Sequence, residues 1–212
     1  MLKAKRLSEL EYVVFDTETT GLYAEDGDEI IEIGAVRVRG LQVCDEVFQS
    51  FVDPEKPIPE ASTQVHGIKG SDVKGAPTID QVIDAFRSFC GTSIWVAQNA
   101  RFDLSFLVKS FDRKKISYSQ LLVLDTIGLS KTLFPYETKH NLDVMMARLG
   151  IARTGDRHRS VDDSRYTAKV LIEFIKLLEK QGIETINQVS SAFIRMESLQ
   201  KKVKLKTGSL FG

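Results

Sequence analysis

Apolar positions along this chain recur with two distinct periods. Short runs of strand-forming residues occur at Tyr12-Val13-Val14-Phe15, Ile30 to Val38, Val43 to Val52, Ile94 to Ala97 and Leu121 to Leu124. The polar turn at Arg39-Gly40 joins the second and third runs as a hairpin. Helical spacing follows elsewhere. Thr78-x-x-Gln81 caps a helix bearing Val82, Ile83, Ala85, Phe86 and Phe89. Leu104, Phe106, Leu107 and Phe111 mark a second helix, and Asn141 to Leu149 a third, stopped by Gly150. A long amphipathic helix carries Val170, Leu171, Phe174, Ile175 and Leu178 on one face. A Pro-rich connection passes through Pro54, Pro57 and Pro59. Three early strands followed by alternating helix and strand predict an α/β fold, a mixed central sheet flanked by helices.

The end of the chain reads differently. Thr185-x-x-Gln188 predicts a further helix with Ile186, Val189, Phe193, Met196 and Val203 at helical spacing. Lys201, Lys202, Lys204 and Lys206 then lead to Gly208-Ser209-Leu210-Phe211-Gly212. The expected division is one domain over residues 1–180 and a C-terminal helical extension with a basic tail over 181–212.

Composition narrows the function classes only a little. Lys plus Arg and Asp plus Glu both number 29 in the 212 residues, so the formal net charge is +0. No global positive field is available for coating long duplexes, where affinity rests on phosphate neutralisation. An enzyme that grips only a strand end is not excluded. Cys44 and Cys90 lie far apart without metal-type spacing, which points to a reducing compartment. No apolar run has transmembrane length and Met1 to Arg6 shows no signal-peptide pattern, so the expectation is a cytoplasmic chain with no membrane partner.

The candidate chemistry lies at three places. Asp16-Thr17-Glu18-Thr19-Thr20-Gly21 follows the first strand, and on extended backbone Asp16 and Glu18 project to the same side. Two carboxylates held that close repel unless a cation sits between them, and hard oxygen ligands suit Mg²⁺ or Mn²⁺. Gln98-Asn99-Ala100-Arg101-Phe102-Asp103 follows the buried run Ile94 to Ala97, placing Asp103 near a helix start, where an anion is favoured. His158-Arg159-Ser160-Val161-Asp162-Asp163-Ser164 precedes the long helix. Taken singly, each has an ordinary reading. The first pair reads as solvated acids at a strand end, Asp103 as a first-turn acid, Ser160-x-x-Asp163 as a capping box and His158 as a loop histidine.

Together these segments resemble the DEDDh branch of the 3′→5′ exonuclease superfamily, whose members include the proofreading subunit of bacterial replicative DNA polymerase. The resemblance covers roughly residues 10 to 180. The family's Asp-x-Glu falls on Asp16 and Glu18, its second motif on Asp103, and its His-x-x-x-x-Asp on His158 with Asp163. That spacing selects Asp163 over Asp162. Gln98-Asn99 stands where many relatives have His-Asn.

The resemblance implies a ribonuclease H-like fold, two Mg²⁺ or Mn²⁺ ions and residues 1–180 as an exonuclease domain. By the same analogy, Asp16 bridges both ions, Glu18 and Asp163 complete the site of the ion carrying the attacking water, and Asp103 supports the second. His158 is then the general base, its unperturbed pKa of about 6.5 suiting proton uptake at neutral pH. Thr17, Thr19 and Leu22 line a terminal-nucleotide pocket, and Asn99 is a further substrate contact. His66 is a candidate contact and Ile68 a wedge between bases. Arg153, Arg157 and Arg159 are candidates for pairing with phosphates.

The implied function is hydrolysis of DNA from single-stranded or frayed 3′ ends to nucleoside 5′-monophosphates, in proofreading or repair. RNA processing by a member of the same superfamily is the alternative, and a silent module binding a nucleic-acid end or a polymerase is the third reading. Implied partners are a DNA polymerase and, through Ser209-Leu210-Phe211, the bacterial sliding clamp.

Overall fold

The structure, a computed structural model, describes residues 5–118, 120–154 and 159–195. His158, Arg157 and the tail with Met196, Val203, the lysines and Leu210-Phe211 lie outside the described residues.

The first predicted strand runs further than its apolar residues, as β1 (Tyr12–Thr19), and so carries Asp16 and Glu18 within the sheet. The hairpin is β2 (Ile30–Arg39) and β3 (Gln42–Phe51), turned through Gly40 and Leu41, which both take left-handed backbone. Two short helices, α1 (Glu60–His66) and α2 (Gly70–Val73), occupy a stretch where no helix was expected. There follow α3 (Ile79–Cys90), β4 (Ile94–Ala97), α4 (Ala100–Arg113), β5 (Leu122–Asp125), α5 (Thr126–Leu133), α6 (Leu142–Arg148) and α7 (Ser160–Lys180).

Among the described residues the sheet has six strands in the order β3-β2-β1-β4-β5-β6, where β6 is Phe193–Arg195. The β1/β4 and β4/β5 pairs are parallel and the others antiparallel. Strand alternation divides the core into two layers. Tyr12, Val14, Val36 and Val38 pack under α5, α6 and α7, whereas Val13, Phe15, Ile33 and Ala35 pack under α3 and α4. Asp16 and Glu18 continue the first set and Thr17 the second. The mixed sheet with helices on both faces agrees with the expected ribonuclease H-like architecture.

The helix expected from Thr185 is not formed through residue 195. Its capping contacts exist, with Thr185 N and Oγ1 donating to Gln188 Oε1 at 3.0 and 2.9 Å. The chain nevertheless turns, passes through a 3-10 turn at Ser190–Ala192, and adds β6 antiparallel to β5. The free edge of β5 offers main-chain hydrogen bonds with burial of Ile194, which one capping box cannot match. Gly128 makes room for this return: a Cβ there would lie 2.6 Å from Ala192 Cα. Ile186, Val189, Ala192 and Ile194 thus pack into the core.

Candidate active site

The acids of the first motif lie on the α7 face of β1. Asp16 is half-buried and Glu18 8% exposed. In the β1/β2 register Asp16 pairs with Gly34 and Glu18 with Glu32. Gly34 decides the site's geometry. A Cβ built on it would stand 2.3 Å from Val161 N and 2.4 Å from Ser160 C, so the first turn of α7 rests directly on the strand. Ser164 Oγ donates to Gly34 O at 3.0 Å and fixes that contact. One helical turn past Ser160, this approach delivers Asp163. Oxygen atoms of Asp16, Glu18 and Asp163 all lie within 4.8 Å of one another.

Asp103 reaches the same strand from the α4 layer. Its Oδ1 accepts hydrogen bonds from Thr17 Oγ1 at 2.7 Å and Thr17 N at 3.1 Å. It is 2% exposed and lies outside the three-residue oxygen cluster. Asn99 takes left-handed backbone as the N-cap of α4, where its N–H donates to Asp125 Oδ1 at 3.2 Å. Gln98, the residue where relatives carry His, bridges elements: Nε2 donates to His140 O at 3.0 Å, and Oε1 accepts from Thr126 Oγ1. That contact is a packing role.

The electrostatics follow from burial and crowding. Burial, then the Asp103 and Glu18 charges, hold Asp16 well above the usual carboxylate range. Burial and the Asp163 charge push Glu18 up to about 8, and burial pushes Asp103 up to about 7. Such a set of hard oxygens is matched to a divalent cation, which relieves both the repulsion and the lost hydration. The buried acidic cluster fits a divalent metal.

Sequence reasoning missed Glu32. It is fully buried opposite Glu18, and it accepts from Arg159 Nη2 at 2.9 Å, Gln49 Nε2 at 2.8 Å and Ser160 N at 3.2 Å. Burial alone would raise its pKa, yet the Arg159, Gln49 and Ser160 donors bring it below the ordinary value. Glu32 therefore holds the start of α7 on β2. The signal in the sequence was an acid inside the apolar run Ile30 to Val38, which only a built partner tolerates.

The fold places the remaining candidate residues as follows. Arg153 and Arg159 are engaged by Asp163 and Glu32, with side chains 16% and 38% exposed. Ser160 is the first residue of α7, behind the N-cap Arg159, so Ser160-x-x-Asp163 is not a capping box. Thr17 turns to Asp103, and Thr19 Oγ1 donates to Gly21 O at 2.6 Å. His66 is buried, its Nδ1 accepting from Ile68 N at 3.0 Å. Ile68 is not a wedge; it packs with Ile31 and Val73. Leu22 is 68% exposed, and Tyr23 and Val65 stand out at 57% and 56%. Ser62 Oγ donates to Thr20 O at 2.7 Å, tying α1 to the loop that carries Leu22. Among the described residues no helix is long and apolar enough to cross a membrane.

Known proteins are similar to this chain in sequence and in fold. A "DNA polymerase III subunit epsilon-like protein" of Rhodobacter capsulatus is 42% identical over an alignment of 192 positions that covers 86% of this chain and 26% of that protein. A "DNA polymerase III PolC-type" of Caldanaerobacter subterraneus is 38% identical over 193 residues, 91% of this chain and 14% of that protein. The chain therefore spans only a minor part of these relatives. Among solved structures, the nuclease domain of 3′hExo, a DEDDh family member bound to rAMP, superposes with a TM-score of 0.71 at 20% identity, covering 86% of this chain and 97% of that one. Exonuclease X in complex with 5′ overhanging duplex DNA gives 0.67 at 23%, covering 85% and 99%. The exonuclease family (RNase_T) matches residues 13–171, from β1 into α7, and so takes in every acid of the site. The chain belongs to the exonuclease family.

Proposed function

We propose that this chain hydrolyses DNA from a free 3′ end to nucleoside 5′-monophosphates, with two Mg²⁺ or Mn²⁺ ions as cofactors. The observation that carries this reading is the convergence of Asp16, Glu18 and Asp163 oxygens within 4.8 Å of one another, with Asp103 behind the same strand. Asp16, Glu18 and Asp163 would hold a cation, and the Asp103 charge also acts on Asp16. When bound, the ions neutralise the phosphate and lower the pKa of an attacking water.

The remaining work falls to the chain's own groups. His158 takes the proton of the water. The exposed Leu22, with Tyr23 and Val65 also exposed, packs on the terminal nucleotide, while Thr17 holds Asp103, Thr19 holds the Gly21 turn, and Asn99 stands exposed at the N-cap of α4 as a further substrate contact. None of these groups is arranged to read base edges, so degradation is sequence-tolerant.

The relatives named for DNA polymerase III favour DNA, and a polymerase as partner, over the RNA reading. The candidate contact for a sliding clamp is Ser209-Leu210-Phe211. Free Cys44 and Cys90 suit the reducing cytoplasm. The division into an exonuclease domain and a basic tail is kept, with the domain extended to include β6.

Matched end-labelled DNA and RNA oligonucleotides, with free or blocked 3′ ends, test the reading in Mn²⁺ and in chelator. DNA shortened from its free 3′ end only when the cation is present is the expected result. Equal cleavage of blocked ends, or cleavage in chelator, overturns it; preference for RNA transfers the activity to the alternative substrate.

A further inference from the structure

Arg153 was expected to face substrate, and its surroundings point elsewhere. Nη1 donates to Asp163 Oδ1 at 2.7 Å, Nη2 reaches Asp143 Oδ1 at 3.4 Å, and Cζ lies 4.6 Å from the centroid of the Tyr166 ring. The side chains of Arg153 and Asp163 are 16% and 11% exposed. Nε is buried with no hydrogen-bond partner among the described residues, so the guanidinium is oriented by Asp163 and the ring rather than by saturating its own donors. The backbone beside it is fixed as well. Tyr166 Oη accepts from Thr154 N at 2.6 Å and donates to Thr154 O at 2.5 Å.

We propose that Arg153 is a positioning residue for Asp163, fixing one carboxylate oxygen so that the acid is presented as a ligand toward Asp16 and Glu18. This rests on the metal-site reading above. An arginine that binds phosphate needs an open guanidinium, whereas this one is enclosed by two acids and an aromatic ring. Its planar fork serves both acids while stacking, which an ammonium cannot reproduce. Groups that orient a metal ligand are typically worth about 10–100-fold in metal affinity.

The sign of the effect separates positioning from plain charge balance. A cation that merely neutralised Asp163 would compete with the metal, and its removal would tighten metal binding. A positioning group removed takes away one hold on the Asp163 carboxylate, and binding weakens.

The test is calorimetric titration of Mn²⁺ into the chelator-stripped full chain near neutral pH, for the parent, Arg153→Met and Arg153→Lys, with thermal midpoints measured in chelator. Arg153→Met is expected to weaken binding by about 10–100-fold, and Arg153→Lys to recover only part of that loss. Binding by Arg153→Met as tight as the parent's, or tighter, overturns the proposal. If Arg153→Met does not fold, Arg153→Lys decides, and an affinity equal to the parent's overturns it. A parent that binds no Mn²⁺ sinks the metal-site reading and this proposal with it, whereas a parent that binds beside unimpaired variants sinks the Arg153 role alone.

Discussion

Thr17 donates twice to a single oxygen of Asp103, from its hydroxyl at 2.7 Å and from its backbone N–H at 3.1 Å. The strand residue between Asp16 and Glu18 therefore faces the opposite helical layer and holds the acid that layer contributes. Thr17→Val removes the hydroxyl and leaves a buried acceptor short of a donor, at a cost of about 1–3 kcal/mol. The expected outcome is a lower thermal midpoint and slower exonuclease turnover, with Thr17→Ser close to the parent in both. Valine and serine variants that behave alike would remove Thr17 from the argument.

Gly34→Ala places a methyl group where Val161 N and Ser160 C already stand. The atoms in the way are backbone, so α7 must lift from β2. Overpacking of this kind costs about 1–3 kcal/mol. Because α7 carries Asp163, the loss of nuclease activity should exceed what a drop in stability alone explains at a temperature where the variant remains folded. Circular dichroism and single-turnover rates on the same sample check this.

Asp162 and Asp163 are adjacent but differ in surroundings. Asp163 belongs to the oxygen cluster, while Asp162 has a side chain 44% exposed and pairs with Arg165 at 3.9 Å. Asp163→Asn is expected to abolish turnover; Asp162→Asn should leave most of it and shift stability by no more than about 0.5 kcal/mol. His158→Ala should slow turnover by about 10²–10⁴-fold, the usual worth of general acid–base catalysis. Comparable losses in the two aspartate variants would show that the spacing from His158 does not select the ligand.

The acidic cluster predicts an unusual pH dependence in chelator. Glu18 and Asp103 have folded-state pKa values raised to about 8 and about 7 from ordinary carboxylate values. The folded state thus binds more protons than the unfolded state between about pH 4 and pH 8, and stability falls as pH rises across that window. Divalent cation should reverse the trend, since it binds the deprotonated acids and releases protons as it does so. Thermal midpoints measured across this range with chelator and with Mn²⁺ test both parts. A metal-free midpoint that rises from pH 5 to 8 would contradict them.

The sequence by itself determined the first five strands, because runs of strand-forming residues bounded by turn signals are a local property. It also determined that Asp16 and Glu18 share a face, because side-chain alternation follows from extended backbone alone. The order and spacing of the three motifs were legible through their resemblance to a known family. Tertiary structure decided the rest. Periodicity tells which face a residue occupies but not what will cover it. Thus Asp163 meets Asp16 only because Gly34, far away in sequence, leaves α7 room to descend. Arg153 and Arg159 read as open cations until the fold supplied Asp163 and Glu32 as partners. His66 and Ile68 turned inward with the end of α1. At Phe193–Arg195 a locally plausible helix yielded to the unpaired edge of β5, because main-chain hydrogen bonds with a distant strand outweigh a local cap.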